Sequence, residues 1–245
     1  MTNTADILKV FRQIASEGRK VRLLNLYKGI PISYAASILN IGEASVTVRT
    51  EKIQLVCMYR AKETFIQNVR FPHLVRAGVV LVDAEKINAM LTNFSYQPER
   101  IGDLTQVRIQ PGQTIPSVVV SEQMESQISG ELADVSLDGV AVMVHEPTFA
   151  PGCRLGDNVN IQVQLPRLLM HDQGGEDVAL ELHGVIANVK SGLPGGKCRI
   201  GIELSEEDTP ARAALAHFVT QRQTELLREI RSIYELVNME TKENP

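Results

Sequence analysis

A short polar stretch near the middle of the chain carries the side chains best suited to hold a ligand. Asp134 and Ser136 offer a carboxylate and a hydroxyl two positions apart, and Asp138 and Gly139 close the stretch. Alternating apolar residues flank it, and Asp-Gly between such runs is typical of a tight β-hairpin in which glycine supplies a positive φ. The local interpretation is a turn in which Ser136 hydrogen-bonds its own backbone.

Residue patterns for catalysis or metal binding do not occur in the sequence. Ser136 has no histidine at a motif spacing, no glycine-rich phosphate loop follows a predicted strand, and there is no Cys-x-x-Cys or His-x-x-x-His pair. Cys57, Cys153 and Cys198 are odd in number and widely spaced, so neither a disulfide framework nor a metal knuckle is indicated. The sequence predicts a protein that is not an enzyme and has no bound metal or resident cofactor.

The composition is that of a soluble globular protein. The chain has 245 residues, of which 44% are hydrophobic and 22% charged, and this length suits two small domains. Its formal net charge of −4 repels phosphate polymers, which predicts that nucleic acid is not a partner. No apolar run approaches the length of a membrane span and no signal segment begins the chain, so a cytoplasmic location is expected.

Residues 1–98 are predicted to form an N-terminal helix and a small β domain. Ile7, Phe11 and Ile14 share one face of a helix from about Asn3 to Gly18. The period then changes to that of strands. The short runs that follow, separated by turn residues or polar segments, are 21–27, 30–39, 44–50, 52–58 and 75–82.

Residues 99–111, where proline, glycine and alternating charge interrupt the pattern, are predicted to be an interdomain linker. Residues 112–245 then contain short alternating runs without crossover helices, which predicts an antiparallel barrel or sandwich. These runs are 115–121, 128–134, 140–144, 159–165, 178–188 and 198–204, and a further short run at 107–109 precedes them, so six or seven strands are expected. The fold class is thus mainly β, with two small antiparallel β-barrel-like domains, an N-terminal helix and a long C-terminal helix.

The second half of the C-terminal helix has apolar residues at a spacing close to a heptad. Leu226, Ile230, Ile233 and Val237 form this seam, which could pair with another copy of the chain. Arg222 interrupts the seam on its N-terminal side. A monomer and a homodimer through this helix therefore both remain open.

Two stretches of the C-terminal half, Asp134-x-Ser136-x-x-Gly139 and the segment from Cys198 to Leu204 with the helix after it, resemble signatures of PilZ domains. PilZ domains are bacterial modules whose family role is to bind cyclic di-GMP. The preceding helix and β domain occupy the place of the extra N-terminal domain in the flagellar-brake branch of the family. The resemblance implies a cyclic di-GMP ligand, a protein partner in motility, chemotaxis or surface-growth machinery, and no catalysis.

Nucleotide-binding PilZ domains carry a further signature, Arg-x-x-x-Arg, just ahead of the barrel. A planar guanidinium can fork onto phosphate or guanine acceptors and can stack on a base. The second arginine matches Arg108, whereas Leu104 occupies the first position, and Arg100 lies four residues further upstream beside Glu99 and Asp103. The ligand-binding residues implied by the resemblance are Arg100, Arg108, Asp134, Ser136 and Gly139.

Two functions remain open at this stage. In the first, cyclic di-GMP bridges the linker and the barrel rim, and its capture changes the relative orientation of the two domains. In the second, the loss of one bidentate contact at Leu104, worth about 1–3 kcal/mol, leaves a degenerate PilZ adaptor. Such an adaptor binds no nucleotide and works by protein contact or self-assembly.

Overall fold

The computed structural model of the chain describes residues 4–97, 107–121, 127–145, 154–166, 177–205 and 209–243. They are mainly β, with an N-terminal and a long C-terminal helix, and the strands close into two six-stranded antiparallel barrels. The predicted fold class is therefore confirmed. By its contacts the chain divides into a first unit of residues 1–106 and 226–245 and a second unit of residues 107–225.

The first barrel follows helix α1 (Thr4–Ser16), whose predicted apolar face is buried. Its strands are β1 (Val21–Tyr27), β2 (Ile30–Ile41), β3 (Val46–Arg49), β4 (Glu63–Gln67), β5 (Leu74–Asp83) and β6 (Asn88–Gln97). They are ordered β1-β2-β3-β6-β5-β4, and pairing of β1 with β4 closes the barrel.

The predicted strand at 52–58 is wrong, because these residues form most of helix α2 (Lys52–Ala61). Residues 54–58 are buried without a break, so the sequence shows neither the period of a helix nor that of a strand. Most of the segment consists of residues that are not β-branched, which favours the helix. Lys62 ends it in the left-handed region with φ 56°.

Two strands of the first barrel lie where the sequence pattern predicted none. Strand β4 falls within residues 60–68, which were interpreted as a polar connection, and β6 follows the last predicted run. In β4 only Thr64 and Ile66 are buried. An inward face of one polar and one apolar residue is too short to give a recognisable alternation.

The second barrel is formed by the six runs predicted from residue 115 onwards, whereas the short run predicted at 107–109 gives only an isolated bridge from Ile109 to Val135. Its strands are β7 (Pro116–Ser121), β8 (Gln127–Val135), β9 (Gly139–His145), β10 (Asn158–Leu165), β11 (Val178–Leu193) and β12 (Lys197–Leu204). They are ordered β10-β11-β12-β9-β8-β7, closed by pairing of β10 with β7. The order places β9 between β8 and β12, which brings two distant parts of the sequence onto one face.

Helix α3 (Thr209–Glu243) contributes residues to both units. In the second unit its buried apolar residues are Leu215, Phe218 and Val219. From residue 226 the helix belongs with the first unit, and the seam residues Leu226, Ile230, Ile233 and Val237 are buried. Of the helices in the described part of the chain, none is both long and apolar enough to cross a membrane.

Polar contacts hold the second half of α3 within the first unit. Glu229 accepts a hydrogen bond from the Tyr27 hydroxyl at 2.8 Å and pairs with the Lys28 ammonium at 2.6 Å. The Tyr234 hydroxyl donates to the Ala84 carbonyl at 2.9 Å. Burial and the Glu229 carboxylate raise the pKa of Tyr27 to about 12. The first unit therefore covers the apolar seam within one chain, and pairing of this helix with another copy stays a prediction.

Replacing Ile230 by alanine should lower the free energy of unfolding by about 2–5 kcal/mol, because it leaves a cavity under a fully buried side chain. Leu236→Ala on the same helix, where the side chain is 61% exposed, should change it by less than about 0.5 kcal/mol. Urea denaturation at two protein concentrations measures both. A midpoint for Ile230→Ala that depends on protein concentration would instead identify the seam as an interface between copies.

Candidate functional site

The stretch singled out in the sequence is the turn of the β8–β9 hairpin, in which Val135 lies opposite Val140. The backbone N–H of Ser136 donates to the Gly139 carbonyl at 2.8 Å, and the Ser136 hydroxyl donates to the same oxygen at 3.0 Å. The predicted hairpin and the predicted local hydrogen bond of Ser136 are both confirmed. Two donors on one carbonyl hold the turn closed.

Glycine is needed at position 139 for a different reason from the one predicted. Its φ lies outside the left-handed region, so the expectation that it supplies a positive φ is wrong. A Cβ at this position would stand 2.6 Å from the backbone oxygen of Ile202 in β12, which pairs with β9. Glycine is therefore required because two strands approach closely here.

A backbone bridge places Arg108 beside this turn. The Ile109 N–H donates to the Val135 carbonyl at 2.8 Å, and the Val135 N–H donates back to Ile109 at 3.0 Å. The Ile109 side chain is fully buried, which anchors the segment to the barrel. Arg108 then faces Ser136 across the bridge, and its side chain reaches diagonally to Asp134, with 3.7 Å between its Nη1 and the carboxylate Oδ1.

Arg199 reaches the same carboxylate from the other side. Its Nη2 lies 2.6 Å from the Asp134 Oδ2, a charge-assisted hydrogen bond between β12 and β8 that crosses β9. Ala141 is the β9 residue opposite both Asp134 and Gly201, and its small side chain leaves this path open. We name Arg108, Asp134 and Arg199 the arginine–aspartate cluster.

The arginine–aspartate cluster combines two guanidinium groups with one carboxylate. Arg108 is the more accessible, with 42% of its side chain exposed, against 26% for Arg199 and 15% for Asp134. The Asp134 Oδ1 is buried and accepts no hydrogen bond from the described residues. The cluster thus combines two guanidinium groups, which only donate, with a carboxylate that has one oxygen bonded to Arg199 and the other in an ion pair with Arg108.

The structure brings together four of the five predicted site residues, Arg108, Asp134, Ser136 and Gly139. Arg100 and the Leu104 position lie outside the described residues. Sequence reasoning missed Arg199, although this residue stands in the segment that carried the family resemblance. The alternation of β12 assigns Arg199 to the outer face, but only the strand order β8-β9-β12 reveals that Asp134 shares it.

Comparisons with known proteins give structural neighbours and no sequence relatives. Neither a protein-family model nor a curated protein matches the chain. The inhibitor of motility MotI/DgrA of Bacillus subtilis is 13% identical, with 85% of this chain and 97% of that chain covered and a TM-score of 0.41.

Two further neighbours come from Escherichia coli. YcgR in complex with c-di-GMP is 13% identical over 94% of this chain and 95% of that chain, with a TM-score of 0.41. The PilZ domain of YcgR with c-di-GMP is 14% identical over 57% of this chain and 98% of that chain, with a TM-score of 0.36. At these identities and TM-scores, the function of the chain has to be judged from its own residues.

Replacing Gly139 by alanine should lower the free energy of unfolding by about 1–3 kcal/mol, because the new methyl group meets a backbone oxygen that cannot move aside. Gly201→Ala is a matched control, since its Cβ would lie 3.4 Å from the Asn188 side chain. This change should cost less than about 1 kcal/mol. Urea denaturation compares the two, and equal midpoints would contradict the close approach at Gly139.

Proposed function

We propose that the chain is a non-enzymatic bacterial signalling protein of PilZ type that binds cyclic di-GMP at the arginine–aspartate cluster. Its output is the control of motility or surface behaviour through protein contacts. The observation that carries the proposal is the convergence of Arg108 and Arg199 on Asp134, directly beside the Asp-x-Ser-x-x-Gly turn. The resemblance to the PilZ signature and the two-barrel fold agree with it.

The chemistry of the arginine–aspartate cluster matches that of a guanine dinucleotide. Guanidinium groups donate in pairs to phosphate oxygens or to the O6 and N7 acceptors of guanine. The Asp134 Oδ1, which accepts no hydrogen bond from the described residues, is an acceptor for the N–H donors of the same base once Arg108 moves onto the ligand. In this assignment Arg108, the more exposed arginine, captures the ligand, while Arg199 and Asp134 bind it at the barrel surface.

Ser136 and Gly139 support the ligand site by holding the turn in shape. The Ser136 hydroxyl uses its proton on the Gly139 carbonyl, and its lone pairs remain for a donor on the ligand. Because Gly139 has no side chain, β9 and β12 stay close and Arg199 lies within reach of Asp134. Both residues therefore act mainly on the geometry of the site.

Arg199 can replace the first arginine of the Arg-x-x-x-Arg signature, which this chain does not have. Leu104 provides neither charge nor donor, and one bidentate contact is worth about 1–3 kcal/mol. A guanidinium on β12, fixed by Asp134 at 2.6 Å, supplies the second donor group from within the barrel. We propose that Arg199 in this way compensates for the affinity for cyclic di-GMP that is lost at Leu104.

Two of the side chains that could act as nucleophiles, Ser136 and Cys57, are in states that agree with the non-enzymatic assignment. Ser136 donates its proton to a carbonyl, which does not activate it as a nucleophile. Burial raises the pKa of the Cys57 thiol to about 12, so this cysteine stays protonated at neutral pH.

Titration calorimetry with cyclic di-GMP tests the proposed function. Arg108→Ala and Arg199→Ala should each weaken binding by roughly 5- to 150-fold, since each removes one forked donor. Arg154→Ala, which removes an exposed arginine from another loop of the same barrel, should leave the affinity unchanged. Arg199→Lys keeps the charge without the fork and should still weaken binding.

Two results would refute the proposed nucleotide site. One is the absence of binding heat for the wild-type protein at high micromolar cyclic di-GMP. The other is unchanged affinity in both Arg108→Ala and Arg199→Ala. Either outcome would leave an adaptor that uses the PilZ fold without this ligand.

A further inference from the structure

Arg222 of helix α3 contacts the segment that carries Arg108. The Arg222 Nε lies 3.4 Å from the Gln110 carbonyl, and its Nη1 pairs with Glu225 at 2.8 Å on the same helix. Only 13% of the Arg222 side chain is exposed. A guanidinium covered to this degree packs against the chain segment and is not a solvated surface charge.

Gly112 lies where the Arg222 guanidinium approaches the segment most closely. Its φ of +89° lies in a region that residues with a Cβ rarely adopt, and a Cβ here would overlap the Arg222 guanidinium. Pro111, directly before it, is buried. Residues 110–112 thus lie close to the Arg222 side chain, and the glycine stands at the position of closest approach.

The Arg222 contact lies immediately next to the bridge that positions Arg108. Gln110 follows Ile109, whose two backbone hydrogen bonds to Val135 set Arg108 beside Asp134. Ile109 is therefore held by the barrel through Val135, and the residue after it is held by the helix through Arg222. All of these residues belong to the second unit.

We propose that Arg222 is a positioning residue for nucleotide binding, which couples the state of the arginine–aspartate cluster to helix α3. By fixing residues 110–112 it keeps Arg108 in the place where it can capture a phosphate or guanine. Coupling of this kind is reciprocal, so ligand capture by Arg108 in turn stabilises the contact with α3. The proposal rests on the proposed function and adds an element that the nucleotide does not touch.

Arg222→Ala should weaken cyclic di-GMP binding by roughly 2- to 30-fold in titration calorimetry. In the ligand-free protein it should also accelerate hydrogen exchange of the Ile109 amide, while the Ile161 amide within β10 keeps its rate. Arg212→Ala is the matched control, because Arg212 lies on the same helix and contacts a different carbonyl, that of Leu204, at 3.3 Å. It should change neither the affinity nor the Ile109 exchange rate.

The exchange rates separate a positioning role from a merely structural one. Equal acceleration at Ile109 and Ile161 would mean that Arg222 only stabilises the barrel, which would overturn the proposal. Unchanged affinity together with unchanged Ile109 exchange would overturn it as well. Arg222→Lys keeps a charge near Gln110 without the planar fork, and it should recover part of the lost affinity.

Failure of the proposed function can be recognised independently. If the wild-type protein binds no cyclic di-GMP, the nucleotide site is refuted. Exchange at Ile109 then still decides whether Arg222 positions the segment. Faster exchange at Ile109 alone supports the positioning role, and an unchanged rate overturns it.

Discussion

The candidate site depends on the pair of backbone hydrogen bonds between Ile109 and Val135. Ile109 is fully buried, so its polar backbone groups must find partners, and a buried unpaired N–H costs about 1–3 kcal/mol. Val135, the last residue of β8, supplies both partners. In this antiparallel register Arg108 faces Ser136 and Asp134 faces Gln110, so Arg108 and Asp134 are diagonal neighbours on one face, and the long Arg108 side chain spans the remaining distance to the carboxylate.

The charges of the site follow from this backbone arrangement. Two guanidinium groups at one rim repel each other, and the Asp134 carboxylate compensates by accepting from Arg199 and attracting Arg108. The three side chains together place two guanidinium groups around one carboxylate, on a chain whose formal net charge is −4. Arg199 is largely buried and already held by Asp134, so its side chain loses little conformational entropy when it donates to an anionic ligand.

The sequence predicted those parts of the fold in which burial alternates regularly. Strand β10, with Val159, Ile161, Val163 and Leu165 buried in turn, belongs to this kind. The prediction from sequence was wrong at α2, where continuous burial removes any period. It missed β4, whose inward face has only two residues. For the site, the motif residues were recognised but Arg199 was not. Its relation to Asp134 depends on which strand lies between β8 and β12, and this order is not encoded in local spacing.

Arg222 is a second residue whose neighbours are not encoded in local spacing, here on a helix. In the sequence it is a polar break in an apolar seam, and the seam itself left open pairing with a second copy. A heptad-like spacing specifies that one face of a helix is covered, but it does not specify by what. In the structure the residues before the break are buried in the second unit and those after it in the first, while Arg222 and Glu225 lie between the two sets. The break therefore falls where α3 leaves the second unit for the first. Arg222, at this break, is not part of the apolar seam, and its side chain contacts the segment next to Arg108.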